Sequence, residues 1–305
     1  MKRLFSALPL CVIALTVSTL SFMQARAQES TIRPLLWQPG MAASQVGEVN
    51  VFRRFSSERT AAVTDFYGKV LGFTALPSTA VGGGQMIRYP IGASEVKLFP
   101  SPPSEPNAAP VGAVVGVRLL TFFFRNEAEL TARFREHGYS APEFHPSIGG
   151  TRRALAQDPD GEWVELVISP DATEAELARF EIGIMVADVE RSRAFYRDLM
   201  GFSELPAERD TLVGATRYAY RYHATTINVW PAAAGASKDA ATGGIQYIVW
   251  DAAKIDVVAR ARGAAIDRPL SDPGQMRTIW LQDPDGVSNY FAQYAGNDNS
   301  PPAGE

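Results

Sequence analysis

The stretch Phe66-Tyr67-Gly68-Lys69-Val70-Leu71-Gly72-Phe73 reappears as Phe195-Tyr196-Arg197-Asp198-Leu199-Met200-Gly201-Phe202. The Phe-Tyr pair, the glycine and the closing Phe keep their offsets. Each copy is answered downstream by one pentapeptide, Gln157-Asp158-Pro159-Asp160-Gly161 and then Gln282-Asp283-Pro284-Asp285-Gly286. Two elements recurring in one order at a near-constant interval mark a duplicated domain. A chain of 305 residues has room for two domains of ordinary size. What the copies share is mostly scaffold, so function is to be sought where they differ.

The first 27 residues stand apart. Lys2 and Arg3 precede an apolar run from Leu4 to Met23, and Ala25-Arg26-Ala27 has the small-x-small form of a signal peptidase site. The pattern predicts export to the periplasm or beyond, with a mature chain starting near Gln28; an uncleaved membrane anchor is the alternative. The one cysteine, Cys11, lies in this segment, so a mature chain has no disulfide, no thiolate metal site and no cysteine nucleophile. Without Lys2, Arg3 and Arg26 the chain carries 26 basic and 33 acidic residues. With no basic run to neutralise phosphates, neither nucleic acid nor, after signal removal, a membrane surface is an expected partner.

Residues 28–46 form a Pro-containing lead-in. From Gly47 an alternating strand runs into a helix capped by Ser56 or Ser57, whose Val63, Phe66, Tyr67, Val70 and Leu71 make one buried face that ends at Gly72. Strands around Ala75, over 85–89 and over 95–99 complete a β-α-β-β-β unit. The order repeats three times. In the second unit a strand over 115–124 leads to Asn126, which caps a helix with Glu129 reaching back, and strands near Glu143, over 152–156 and over 163–168 follow. In the third, a strand over 182–186 leads to a helix capped by Asp188 and a hairpin of strands 217–222 and 226–230. In the fourth, a strand over 245–250 and a helix over 252–262 precede strands 277–281 and 288–292. Between third and fourth lies a low-complexity loop, 232–242. The predicted partition is residues 1–27 signal peptide, 28–46 lead-in, 47–170 first domain, 171–179 linker, 180–295 second domain and 296–305 a disordered tail.

Four β-α-β-β-β units, with Phe-Tyr-x4-Gly-Phe opening and Asp-Pro-Asp-Gly closing each pair, resemble the vicinal oxygen chelate superfamily. This group includes glyoxalase I, extradiol dioxygenases, fosfomycin resistance proteins and bleomycin-binding proteins. The resemblance implies an α+β fold of two tandem domains, whose units curl mixed sheets around clefts. It also implies a divalent metal in enzyme members, held by residues of the first and last strands of each unit, usually His or Gln with Glu. The first-strand slots are Phe52, Leu119, Glu181 and Gly244, with Leu119 and Glu181 seven residues before the caps Asn126 and Asp188; the last-strand slots fall at Lys97, Glu165, Asn228 and Tyr290. None is histidine. Pairing of units within domains gathers Phe52, Lys97, Leu119 and Glu165 in one cleft and Glu181, Asn228, Gly244 and Tyr290 in the other. Pairing across domains gathers Leu119, Glu165, Glu181 and Asn228, which could hold Mg²⁺, Mn²⁺ or Ca²⁺ but not zinc or iron tightly.

Among the remaining candidates, His137 suits a helix C-terminus, His223 an exposed hairpin turn and His145 the lining of a pocket. Tyr218, Tyr220 and Tyr222 share a strand face suited to packing or to stacking a planar ligand. Gln246 stands two residues beyond Gly244 on the same face, where it could replace a missing donor. The Asp-Pro-Asp-Gly carboxylates read as turn formers. Glu165, the family's metal carboxylate by position, has a structural alternative as the partner of Arg152 or Arg153. The resulting expectation is an exported protein, monomer or homodimer, that binds a small organic molecule in a cleft without a cofactor. The ligand-contacting candidates are Phe52, Lys97, Glu165, Glu181, Asn228, Gln246, Tyr290 and His145. The rival is a lyase, isomerase or ring-cleaving dioxygenase with a divalent metal on Glu165, Glu181 and Asn228, the metal polarising adjacent substrate oxygens.

Overall fold

A computed structural model describes residues 49–81, 84–222, 225–238, 243–272, 274 and 276–294. The expected signal peptide, lead-in and tail, His223 and part of the 232–242 loop lie outside the described residues. Unit 1 comprises β1 (Val49–Ser56), β2 (Leu76–Val81), β3 (Gly84–Ile91) and β4 (Ser94–Ser101). Unit 2 holds β5 (Val114–Phe124), β6 (His145–Pro146), β7 (Arg152–Gln157) and β8 (Trp163–Ile168). Unit 3 holds β9 (Phe180–Val186), β10 (Ser203–Glu204), β11 (Glu208–Asp210), β12 (Ala215–Tyr222) and β13 (Thr225–Pro231), and the short β14 (Ser237–Lys238) precedes unit 4. Unit 4 has β15 (Gly243–Ile248), β16 (Ile266–Ser271), β17 (Met276–Gln282) and β18 (Ser288–Tyr294).

The units pair across the duplication. An eight-stranded sheet runs β16-β17-β18-β15-β1-β4-β3-β2, and a second runs β10-β12-β13-β9-β5-β8-β7-β6 with β11 and β14 at its margins. Unit 1 therefore joins unit 4 through the antiparallel β1–β15 pair, and unit 2 joins unit 3 through β5–β9. One apolar cluster drawn from all four units, including Val49, Phe66, Phe122, Ile182, Tyr196 and Phe291, fills the space between the sheets. The other face of each sheet forms a cleft with its own small apolar cluster.

The repeated motifs meet in space. The Tyr67 hydroxyl donates to Asp158 Oδ2 at 3.1 Å, and the Tyr196 hydroxyl to Asp283 Oδ2 at 2.9 Å. Each bond links a helix on one sheet to a turn on the other, so the motifs staple the two halves of a domain whose strands pair elsewhere. Burial pushes Asp158 up to about 7, against the pull of Arg53, and Asp283 up to about 6. The other oxygen of each carboxylate accepts backbone N–H groups two and four residues on, which closes the turn and confirms its structural role. Gly161 also stands with φ +81° and its missing Cβ 2.7–2.9 Å from backbone atoms of Asn107 and Ala108, so no side chain fits there.

Both motif helices widen where the aromatic pair begins: Thr60–Asp65 continues as a π-helical Phe66–Val70, and Val189–Arg193 as Ala194–Leu199. The π register turns both members of each Phe-Tyr pair inward. Two cap expectations need correction. Neither Ser56 nor Ser57 caps the first motif helix: a 3-10 turn over Ser57–Arg59 precedes it, Arg59 stands at its N-cap without a side-chain bond, and Ser56 Oγ accepts from Ser104 N. Asn126 does cap by accepting from Glu129 N, but the Glu129 carboxylate pairs with Arg133 one turn on instead of reaching back. Asp188 caps as expected, and among the described residues no helix is long and apolar enough to cross a membrane.

Candidate functional site

In the cleft of units 1 and 4, the slots Phe52, Lys97, Gly244 and Tyr290 come together, and side chains fill them. Phe52 lies opposite Gly244 and beside Lys97. Its ring occupies the place of the missing side chain: a Cβ on Gly244 would fall 2.3 Å from Phe52 Cζ and 2.7 Å from the Ser288 carbonyl oxygen. Phe99, Trp280 and Tyr290 surround the ring at centroid distances of 6.3, 6.1 and 5.7 Å, and Trp280 stacks on Tyr290 at 4.2 Å. The polar end is equally closed. Gln246 Oε1 accepts from Lys97 Nζ at 2.5 Å and Asn50 Nδ2 at 2.9 Å, and Lys97 lies 3.5 Å from Glu95. Burial draws the Lys97 amine below its usual range, partly offset by Glu95. Gln246 is thus a buried bridge across the β1–β15 seam, and its oxygen is not a spare metal donor.

The cleft of units 2 and 3 is built differently. Thr121 on β5 pairs with Glu165 on β8 and with Glu181 on β9, so the carboxylates flank it two strand spacings apart, about 9–10 Å between backbones. Glu165 is fully committed. Its Oε2 accepts from Thr121 Oγ1 at 2.7 Å, and its Oε1 takes the Arg153 Nε–H in a close ion pair. The remaining edge of the guanidinium clasps Asp210 of unit 3, with Nη2 at 2.8 Å from Oδ2 and Nη1 at 3.3 Å from Oδ1. Asp210 in turn accepts from Leu212 N and Val213 N, which folds residues 211–213 over the cleft. Burial pushes Glu165 up, opposed by Arg153; nearby Glu181 pushes it the same way as burial. On Arg153 burial acts downward, but Glu165 and Asp210 outweigh it and raise the group.

Asn228 and Glu181 form the other end of this row. Asn228 Nδ2 donates to Glu181 Oε2 at 2.6 Å, which leaves Asn228 Oδ1 buried without a partner among the described residues. The contact sets the amide's orientation, since a flip would oppose two oxygens. Trp230 Nε1, two residues along β13, is also buried and has no partner among the described residues. Leu119, Met185, Trp230 and Val111 make the apolar floor, with Leu155, Trp163 and Val213 against it. Above Arg153 a cavity of about 350 Å³ opens, lined by His145, Pro146, Ser147, Arg153, Thr211 and Leu212. That is the small end of the usual range for ligand sites.

The structure therefore brings Glu165, Glu181 and Asn228 into one cleft and places His145 at its mouth; Phe52, Lys97, Gln246 and Tyr290 lie in the other. His137 bonds Asp65 at a helix end, and Tyr220 and Tyr222 pack in the core. Three residues of the row escape a reading by slots. Thr121 stands to Leu119 as Gln246 stands to Gly244, a signal that was available. Arg153 was visible only as a neighbour of Glu165, and Asp210 lies in a stretch without strand periodicity.

The donor set of this cleft does not fit a tightly held divalent ion. Both oxygens of Glu165 are engaged, and a guanidinium occupies the space a cation would need. Among the described residues no group of three or more His, Cys, Asp or Glu converges as metal ligands.

The sequence profile of the Glyoxalase/Bleomycin resistance protein/Dioxygenase superfamily matches residues 55–166 and again 178–291. Among solved structures, glyoxalase I from Zea mays is similar with a TM-score of 0.62 at 20% identity, over 82% of this chain and 91% of that one. A putative dioxygenase from Bacillus subtilis subsp. subtilis str. 168 gives 0.60 at 13% identity, over 84% and 86%. At these identities the likeness establishes the fold. No curated protein sequence matches the chain.

Proposed function

The chain belongs to the Glyoxalase/Bleomycin resistance protein/Dioxygenase superfamily, and within that family we propose that it binds a small organic molecule, without a divalent metal, in the cleft between units 2 and 3. One observation carries the reading: a cavity opens directly over Arg153, the residue whose guanidinium holds Glu165 at the family's metal-carboxylate position. The cleft of units 1 and 4, packed with aromatic rings, serves as core. Duplication lets one cleft turn structural while the other keeps a ligand space.

Metal analysis of purified protein, combined with equilibrium binding of small aromatic alcohols, amines and acids to EDTA-dialysed protein, tests this. Less than stoichiometric metal is expected, with binding that Leu212→Trp abolishes by filling the cavity. A tightly bound stoichiometric divalent ion, or no probe bound at all, would overturn the reading. One observation favours the metal-dependent lyase, isomerase or dioxygenase reading: Glu165 and Glu181 do share a cleft. That alternative requires Arg153 to leave Glu165, so it predicts metal binding that improves in Arg153→Met.

We also propose export of the chain, supported by the charged, apolar and small-residue pattern of its first 27 residues. A mature protein whose first residue is Gln28 is the expected mass-spectrometric result; retention of Met1 in the exported fraction would refute cleavage.

A further inference from the structure

The cluster of Arg153, Glu165 and Asp210 joins strands that stand far apart in one sheet. Arg153 lies on β7, and Asp210 ends β11, which pairs with β12; along the sheet four strands, β13, β9, β5 and β8, separate β12 from β7. The sheet therefore curls until its two margins meet, and the guanidinium clasps them. The cavity lies beside this clasp, walled by His145, Pro146 and Ser147 from one margin and by Thr211 and Leu212 from the other.

Reach decides what such a cavity can recognise. The Arg153 side chain is 14% exposed, whereas those of Glu165 and Asp210 are each 1% exposed. A molecule in the cavity thus meets the arginine and not the carboxylates it holds. A guanidinium carries five N–H groups. Glu165 takes the one on Nε, and Asp210 takes one from each Nη, which leaves two for a ligand.

An anion would be a third carboxylate on a guanidinium that already answers two, and would compete with the contacts that join the margins. A cation would face the arginine itself. The carboxylate at the mouth is Glu143, 3.9 Å from His145 and 88% exposed, where an ion pair is worth little. Nearby arginines do not change this balance: Arg152 pairs with Glu127, Arg217 pairs with Glu208, and Arg209 alternates onto the face of β11 opposite Asp210. An uncharged oxygen can accept the two remaining N–H groups and leave the clasp intact, in a hydrogen bond strengthened by the charge of its donor.

We propose that the cavity takes an uncharged carbonyl compound, an amide, ester or ketone, whose oxygen accepts from Arg153 and whose short apolar body packs against Pro146 and Leu212. The proposal rests on the small-molecule reading above and narrows it to one ligand class. The experiment titrates three size-matched probes, phenylacetamide, phenylacetate and 2-phenylethylamine, calorimetrically into EDTA-dialysed protein. The amide is expected to bind about tenfold more tightly than either charged probe, with an affinity that added salt leaves unchanged. Asp210→Asn, which removes one of the two charges compensating Arg153, should strengthen phenylacetate about tenfold relative to the amide. The ranking of probes and the salt readout need no variant.

Phenylacetate or 2-phenylethylamine binding as tightly as the amide, an amide affinity that falls with salt, or a phenylacetate affinity indifferent to Asp210→Asn in the folded variant would overturn the proposal while leaving the cavity as a binding site. Failure of all three probes to bind would overturn the small-molecule reading and this one with it.

Discussion

Replacing Arg153 with Met keeps most of the stem and removes the guanidinium that two buried carboxylates share. Glu165 would retain the Thr121 hydroxyl alone, whereas Asp210 keeps the Leu212 and Val213 N–H groups. The damage therefore approximates to one uncompensated buried carboxylate, about 3–5 kcal/mol. Over a folded body of this size each kcal/mol moves the midpoint by about 2–4 °C, so a drop on the order of 10 °C is expected. The loss must also depend on pH. Burial already pushes Glu165 up, and Arg153 opposes that push; without the arginine the folded-state value rises further above the unfolded one. The native variant then holds a proton that the unfolded chain releases, so its stability falls as pH rises through that window.

Urea unfolding followed by tryptophan fluorescence should show a deficit that is largest at pH 8 and shrinks toward pH 5. Glu165→Gln in the Arg153→Met background should restore a substantial part of it. A loss below about 1 kcal/mol, independent of pH, would mean that the pair behaves as a solvent-screened surface contact, and the account of Glu165 as a committed carboxylate would be wrong.

Other outcomes follow from the same geometry. Tyr67→Phe and Tyr196→Phe should each cost about 1–2 kcal/mol by removing the buried bond to Asp158 or Asp283, measured by the same unfolding assay. Because burial pushes those aspartates up to about 7 and about 6, their contribution is full below the unfolded value and is lost as pH rises through the folded ones. The double variant Asp158→Asn, Asp283→Asn should accordingly gain on the wild type between pH 5 and pH 8; a constant difference would contradict the shift. Gly244→Ala, which drives a methyl into Phe52 and the Ser288 backbone, should cost about 1–3 kcal/mol. Gly286→Ala meets nothing within 4 Å and carries only the strain of φ +93°, about 1–2 kcal/mol.

The fold was legible because the same pattern is written twice. Tyr67 and Asp158 announce one contact, Tyr196 and Asp283 repeat it, and hydrophobic spacing marked the helix faces around them. The direction of pairing was not legible. Spacing in sequence is the same whether β1 joins β5 or β15, and the choice lies in side chains such as Asn50 and Gln246, which meet across 196 positions. The slots at Glu165, Glu181 and Asn228 fall on β8, β9 and β13, strands that the structure brings into one sheet around β5. What the count could not reveal is that Glu165 is already taken. An ion pair depends on which strand lies beside which, and on Asp210, the last residue of the short β11, brought over from the other domain. The widening of both motif helices was likewise invisible, since a π register leaves the apolar spacing of Phe66, Tyr67 and Val70 unchanged.

The claim at the centre is the proposal that the cleft of units 2 and 3 binds a small organic molecule in the cavity over Arg153, with that arginine and not a divalent metal holding Glu165. A crystal structure of the protein soaked with both Mn²⁺ and phenylacetamide, with anomalous data collected at the manganese edge, tests it most directly. The account predicts phenylacetamide density in the cavity over Arg153, an intact Arg153–Glu165 pair and no anomalous peak in the cleft. Manganese bound to Glu165, with Arg153 swung away, would contradict it.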